Sequence, residues 1–480
     1  METFKNLIDG ELVGASDGGT YETRDPAHPG EVLGSFPLAT AADAARAVAA
    51  AAAAQPAWAA TPAPARGAIL YKASELVDIR VDQLARAMTR EEGKTLAESR
   101  GEVLRARDIL RYYGGEGWRV GGDVLPANAA NGMLYTRREP LGVVAVITPW
   151  NFPLAIPAWK IAPALVYGNA VVFKPASATP HSAVLLVEAL VEAGLPAGVL
   201  NLLIGPGAAV GDTLADAPEV RGVSFTGSYA VGSALYSRAT ARMARAQVEM
   251  GGKNPLVVLA DADLDLAVRL AVMGGFGLTG QACTATSRVI VEEAVADAFV
   301  VALAEAVRGL KVGDGLDDGV QMGPAISAEQ LETDLRYIEV GKAEGAALVV
   351  GGERLDGEGH FVQPTVFDRV TTTMRIAQEE IFGPVVGVIR VAGFDEAVAA
   401  ANAIEFGLSA SVVTRDLGAA LTFAERVEAG VVKVNEPTTG LALQAPFGGF
   451  RHSSATTFKE QGAAALEFYT RTKTVYVTYG

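Results

Sequence analysis

Gly142-Val143-Val144-Ala145-Val146-Ile147-Thr148-Pro149-Trp150-Asn151-Phe152-Pro153 is the stretch on which the fold turns. Its first half is a short apolar run rich in β-branched residues, which reads as a strand covered on both faces. Thr148-Pro149 ends it. A helix-like Ala158–Val166, a strand-like Ala170–Phe173 and a helix over His181–Ala193 follow, the last with Glu188 and Glu192 opposite Val184, Val187, Leu190 and Val191. Val199–Ile204 and Gly222–Phe225 continue the series. Such alternation predicts βαβ units around a parallel sheet. It restarts after Gly251, with strands at Leu256–Leu259, Arg288–Val291, Ala347–Val350, Val385–Val391, Ser409–Val413 and Val431–Val434. Helices over Val295–Val307 and Ala419–Val427 lie between them. The reading is an α/β protein with two such domains meeting near Gly251-Gly252. Upstream, the alanine-rich Ala41–Ala60 reads as a helix ending before Pro56, because the residue before proline disfavours the helical region. Thr470–Val477 alternates Thr/Lys with Val/Tyr and reads as an edge strand.

The whole chain agrees with this. Its 480 residues suit two or three domains, and half of them are apolar, which is wrong for disorder. The net charge is −15 and no Lys/Arg run occurs, so neither nucleic acid nor an anionic membrane is expected as a partner. Glu2-Thr3-Phe4-Lys5-Asn6 lacks the basic-then-apolar pattern of a secretory signal, and no run reaches the ~18 apolar residues of a membrane span. A soluble, cytoplasmic protein is the expectation. There is one cysteine, Cys283, and there are four histidines without zinc-ligand spacing, so no metal is expected.

Four segments carry chemistry. Gly280-Gln281-Ala282-Cys283-Thr284 sets a thiol among small residues with room for a substrate beside it. On its own it equally describes a buried filler. Val248-Glu249-Met250-Gly251-Gly252-Lys253 ends a strand on a carboxylate, where a base for a thiol or a water is useful. A surface glutamate before a turn reads the same way. Asn151 follows a rigid Thr148-Pro149-Trp150 turn and offers an amide to an oxyanion, or simply stabilises its turn. Phe225-Thr226-Gly227-Ser228 joins a strand to a helix whose first N–H groups suit phosphate. Gly205-Pro206-Gly207-Ala208-Ala209-Val210-Gly211 misses the dinucleotide fingerprint by one residue.

In this order, and together with Lys160, Lys174-Pro175-Ala176-Ser177, Glu379-Glu380-Ile381-Phe382-Gly383-Pro384 and Pro446-Phe447-Gly448-Gly449, these segments resemble the aldehyde dehydrogenase superfamily over nearly the whole chain. The resemblance implies two open, twisted, mainly parallel sheets. One belongs to a Rossmann-like NAD(P) domain (residues 1–121 and 141–251) and the other to a catalytic domain (252–446). A small β arm (122–140 and 463–480) would join two or four copies. It implies Cys283 as nucleophile, Asn151 as oxyanion donor, Glu249 as the base for deacylation, and Lys160 near the nicotinamide ribose. Lys174 and Glu380 resemble ligands of the two riboses, and Phe382 and Trp150 neighbours of the nicotinamide. It places Gly227 and Ser228 by the pyrophosphate, with Thr148, Gly207, Gly211 and Phe225 as further cofactor-binding residues. Many NAD-preferring members carry Glu where this chain has Ser177. That change removes repulsion from a 2′-phosphate, so NADP is expected to be accepted as well as NAD.

The family's substrate tunnel maps onto Phe152, Ala155, Ile156, Trp159, Gly277, Ala282, Thr284, Leu441 and Phe447. Arg105, at its mouth, is either a carboxylate ligand or a solvated helix charge. Gly448–Ser454, Phe458–Gly462, Phe468-Tyr469-Thr470 and Asn435–Gly440 look most like the α-ketoglutarate semialdehyde (2,5-dioxopentanoate) dehydrogenases. Aromatic-aldehyde dehydrogenases are the alternative. A quaternary-ammonium aldehyde is disfavoured, since the positions named for the tunnel include no acid. Different classes, a non-catalytic binding protein or a cysteine hydrolase, would not need Cys283, Glu249, Asn151, Lys174 and Glu380 together.

Overall fold

A computed structural model describes residues 2–455 and 457–479. Val143–Ile147 is a fully buried strand and sits centrally in a seven-stranded sheet. Across that sheet the order is Arg245–Glu249, Val220–Thr226, Val143–Ile147, Ala170–Lys174, Leu200–Leu202, then Asn6–Ile8 and Glu11–Val13. The first five run parallel, and the two amino-terminal strands add antiparallel to the edge. Strand order reverses on either side of Val143–Ile147, so the crevice at its carboxyl end is a topological switch point. The register brings Glu249, Thr226, Ile147 and Lys174 to that one end: Thr226 pairs with Glu249, and Ile147 with Lys174.

Period-two alternation explains the layers. Val143, Ala145, Ala170 and Val172 face Ala44, Ala47, Val48 and Ala51 of the Ala41–Ala60 helix. Val144, Val146, Val171 and Phe173 face the core of the helices Ala155–Val166 and Pro180–Glu192 on the other side. Each fully buried valine or phenylalanine here stabilises by about 1.5–3 kcal/mol relative to exposure.

The Ala41–Ala60 helix corrects one expectation: it runs through Pro56 and stops at Thr61. Proline removes only one helical hydrogen bond, and tertiary contacts hold the last turn. Trp58 is buried and its Nε1 donates to the Leu165 carbonyl at 3.0 Å. Gln55 reaches the Gly168 carbonyl, and the Arg66 guanidinium collects carbonyls of Trp58, Ala59 and Thr61.

The second sheet orders Ala347–Val350, Thr365–Asp368, Val385–Val391, Thr286–Glu292, Asn254–Val258, Ser409–Val413 and Val431–Val434. Only its first strand is antiparallel. Thr470–Thr478 pairs antiparallel with Gly132–Pro140 in a small three-stranded sheet. No helix among the described residues is long and apolar enough to cross a membrane.

Candidate active site

Cys283 sits in a loop between a short 3₁₀ turn, Gly277–Gly280, and the strand Thr286–Glu292. Leu278, Thr279 and Gly280 all have left-handed backbones, at φ 54°, 58° and 67°. Two non-glycine residues in that region are costly and persist only where the surroundings hold them. Here Glu98 accepts from the Leu278 N–H at 2.7 Å, and the Thr279 hydroxyl donates to the Gly323 carbonyl at 3.0 Å. At Gly280 a Cβ would lie 2.3 Å from the Gly383 oxygen. Beyond the thiol, Asn254 donates to the carbonyls of Cys283 and Ala285.

Asn151 is buried, and its amide donates to the Gln281 carbonyl at 2.9 Å, two residues before Cys283. One amide hydrogen is left for another acceptor. The turn that presents it is anchored from behind, where buried Lys94 donates to the Asn151 carbonyl and to Glu102, both at 2.7 Å. The other Glu102 oxygen accepts from the Leu154 and Ala155 N–H groups at the start of the Ala155–Val166 helix.

Glu249 is buried. Neither oxygen has a well-formed hydrogen bond, although the Ser454 side chain is close enough to favour the charged form. Burial, then the nearby Glu460 charge, pushes its pKa up to about 8. The half-buried Cys283 thiol is also raised, first by desolvation and then by the carboxylates of Glu249, Glu380 and Glu460. Strongly perturbed groups gathered at one cleft mark a functional site.

On the cofactor side, Lys174 is buried at the end of its strand with Nζ on the Pro175 carbonyl, and burial lowers its pKa to about 8. Ser177 donates to the Gly205 carbonyl at 2.9 Å, so its hydroxyl is engaged with the protein. Gly207 opens the helix Gly207–Asp216, where a Cβ would meet nothing within 4 Å, and Gly211 lies one turn in. Ser228 is the N-cap of Tyr229–Ala241 without a side-chain capping bond, and Gly227 lies against the buried Phe225 ring. Glu380 accepts from the Gly252 N–H at 2.8 Å, and its pKa is pushed up to about 7 by burial. A Cβ at Gly251 would stand 2.5 Å from both Glu380 oxygens. Phe382, itself at φ 62°, meets Trp150 edge-on with ring centroids 5.3 Å apart. Thr148 is buried with a hydroxyl that has no partner. Two open helix starts, a buried amine and a buried carboxylate at a switch point fit a dinucleotide.

Lys160 is locked elsewhere than a free lysine would be. Its Nζ pairs with the buried Glu460 and donates to Ser224 at 3.0 Å. Glu460 also accepts from Trp159 Nε1 at 2.8 Å. Glu460 lies in the Phe458–Gly462 stretch that carries the resemblance, but that stretch assigns it no role; its partners are 300 and 301 residues away in the chain.

A cavity of about 420 Å³ opens onto Cys283. Phe152, Ala155, Trp159, Gly277, Ala282, Thr284, Leu441 and Arg105 line it as expected. Two expected wall residues do not. Ile156 points into the core, and Phe447 is buried behind Trp159 with ring centroids 6.0 Å apart. The supposed lack of acids is also corrected, because Glu98 and Glu102 reach the wall. Both are occupied by backbone N–H groups and Lys94, as above.

These features agree with known proteins. The aldehyde dehydrogenase family model matches residues 13–475. The chain belongs to the aldehyde dehydrogenase family. It is 51% identical over 479 residues to an α-ketoglutarate semialdehyde dehydrogenase of Haloferax volcanii, covering 99% of both chains. It is 48% identical over 481 residues to an α-ketoglutaric semialdehyde dehydrogenase of Bacillus subtilis, covering 99% of this chain and 98% of that one. The crystal structure of an NAD-dependent aldehyde dehydrogenase from Sinorhizobium meliloti superposes with a TM-score of 0.97 at 38% identity, covering 100% of this chain and 95% of that one. As a member, this aldehyde dehydrogenase is an oxidoreductase that uses NAD(P) to oxidise a small aldehyde.

Proposed function

We propose that this aldehyde dehydrogenase oxidises a carboxylated semialdehyde, α-ketoglutarate semialdehyde, to 2-oxoglutarate. The observation that carries the reading is Arg105. Glu98, Gly101, Glu102 and Arg105 recur at i, i+3, i+4 and i+7 and put one face of the Leu96–Glu116 helix on the cavity. Arg105 is partly buried there, and among the described residues no carboxylate pairs with it, so a substrate carboxylate would be its counterion. The two relatives' names point the same way.

In this reading the Cys283 thiol gives up its proton, to water or to Glu249, and its sulfur bonds to the aldehyde carbon. The remaining Asn151 N–H stabilises the oxyanion. Collapse of the oxyanion expels the carbon's hydrogen as hydride and leaves a thioester on Cys283. NAD(P), when bound, would supply the hydride acceptor; Lys174 and Glu380 would hold its riboses, with Lys160 near the nicotinamide ribose, the starts of the Gly207–Asp216 and Tyr229–Ala241 helices would take its phosphates, and Thr148, Trp150 and Phe382 would flank its reactive ring. Glu249 then deprotonates a water that attacks the thioester. The C–S bond breaks and the acid leaves. The same reading assigns cofactor binding to residues 1–121 and 141–251, catalysis to 252–446, and association of two or four copies to 122–140 and 463–480. Pairing of Thr470–Thr478 with Gly132–Pro140 supports the last assignment.

A kcat/KM panel of 2,5-dioxopentanoate, succinate semialdehyde, vanillin, benzaldehyde and betaine aldehyde tests the substrate. The carboxylated pair should lead by at least tenfold, and Arg105→Ala should harm that pair selectively. A lead by vanillin or betaine aldehyde rejects the reading.

A further inference from the structure

The segment Glu460-Gln461-Gly462 is a fastening point for four side chains from two helices. Glu460 takes Lys160 and Trp159 from the Ala155–Val166 helix. From the Leu96–Glu116 helix, Arg105 donates to Gln461 Oε1 at 2.8 Å and Tyr113 donates to the Gly462 carbonyl at 3.3 Å. Adjacent residues therefore pin Trp159 and Arg105, both of which line the cavity.

Gln461 is unusual in three respects. It is almost fully buried, 1% exposed. Its backbone is left-handed at φ 61°, which a side-chain-bearing residue rarely adopts. Its Nε2 is buried with no hydrogen-bond partner. A strained backbone and an unpaired amide are costs that an apolar side chain would avoid. What they secure is the bond from Oε1 to the Arg105 guanidinium.

We infer that Gln461 is a positioning residue that sets preference for carboxylated over neutral aldehydes by orienting Arg105 without neutralising it. The inference rests on the reading of Arg105 as a carboxylate ligand. Guanidinium has five N–H donors in a fixed fork. A neutral amide fixes the fork with one of them and leaves both the charge and the other donors for substrate. A carboxylate at the same position would also fix the fork, but would supply the counterion that the substrate otherwise brings. The acids already on the wall, Glu98 and Glu102, do not do this, because their oxygens are spent on backbone N–H groups and Lys94.

The test is the ratio of kcat/KM for succinate semialdehyde to that for butanal, two aldehydes of equal chain length that differ in the carboxylate. Gln461→Glu should lower the ratio at least tenfold, through KM for succinate semialdehyde. Gln461→Asn, which keeps the amide but withdraws it from Arg105, should lower the ratio several-fold and serves if the glutamate variant does not fold. An unchanged ratio in both variants, including equal losses on the two substrates, makes Gln461 merely structural and overturns the inference. Arg105→Ala separates the two ideas. If it lowers the ratio while the Gln461 variants do not, only the role of Gln461 falls. If it leaves the ratio unchanged, the reading of Arg105 falls and this inference with it.

Discussion

The Asn151 amide and the Gln281 carbonyl meet at 2.9 Å and tie the turn after the central strand to the loop that carries Cys283. The group proposed to hold the oxyanion thus also fixes the Cys283 loop. Asn151→Ala should lower kcat by about 10²–10³-fold, the usual cost of one oxyanion donor. Because the loop is held elsewhere by Glu98 and Asn254, the protein should still fold. Steady-state kinetics with circular dichroism would check both; a loss of less than tenfold would remove Asn151 from the oxyanion site.

Glu249 yields a pH prediction. Burial raises its pKa to about 8, so the carboxyl is mostly protonated at pH 6 and ionises as pH rises through 8. Only the ionised form can take a proton from water. Deacylation should therefore accelerate by roughly tenfold per unit below pH 8 and level off above it. A burst of reduced cofactor should be prominent at pH 6 and fade by pH 9. In Glu249→Gln the burst should remain and turnover should stay slow at every pH. Rapid-mixing absorbance would show this, and normal turnover in the glutamine variant would refute the deacylation role.

Most of the frame was legible in the sequence because β-branched runs ending at Pro or Gly report buried strands directly, as at Val143–Ile147 and Ala170–Lys174. Cys283, Glu249, Asn151, Lys174 and Glu380 stood at strand ends or glycine-bounded turns, which local pattern marks and where the proposed roles fall. The continuation of the first helix through Pro56 was not legible, since contacts to Leu165 and Gly168 outweigh a local penalty. Nor were the contacts of Glu460 and Gln461, which sit in an irregular segment and act on partners 300 or more residues distant. The stripe Glu98, Gly101, Glu102 and Arg105 did carry a signal. It is a polar stripe at helical spacing beside buried Val103, Ala106 and Leu110, and it would have placed acids on the cavity wall.

Lys160 and Glu460 form a buried pair at 0% and 2% side-chain exposure. Removing one partner leaves the other charge buried without compensation, which costs about 3–5 kcal/mol. Glu460→Leu should lower stability by that order and also free the Trp159 indole. Urea denaturation is the measurement, with Trp fluorescence as its signal. A change below ~1 kcal/mol would mean that Ser224 alone satisfies Lys160.

Cys283 is the only thiol, so alkylation reports on one place. Burial and the carboxylates around it raise its pKa, and the thiolate is the reactive form. Iodoacetamide should label the free enzyme more slowly than it labels glutathione at pH 7.5, and faster as pH rises. Removing a nearby negative charge in Glu249→Gln should speed labelling at a fixed pH above 8, where Glu249 is ionised. Cys283→Ala should take up no label and oxidise no aldehyde. Mass spectrometry gives the stoichiometry, and labelling at neutral pH as fast as that of an unperturbed thiol would contradict the raised pKa.

Ser177 yields a prediction about cofactor choice. Its hydroxyl is held by the Gly205 carbonyl, and its own carbonyl accepts from Tyr21 at 2.9 Å, so the position is fixed and carries no negative charge. A 2′-phosphate near Lys174 would meet a buried amine and no repelling acid. NADP should therefore be used within tenfold of NAD, a difference of about 1.4 kcal/mol or less. Ser177→Glu should restore an acceptor for the 2′-hydroxyl and repel the phosphate, shifting the kcat/KM ratio toward NAD by at least tenfold. Because a titrating carboxylate and a phosphate would then interact through solvent, part of that shift should fade with added salt. Wild-type kinetics favouring NAD by more than tenfold would show that the missing acid at this position does not decide the cofactor.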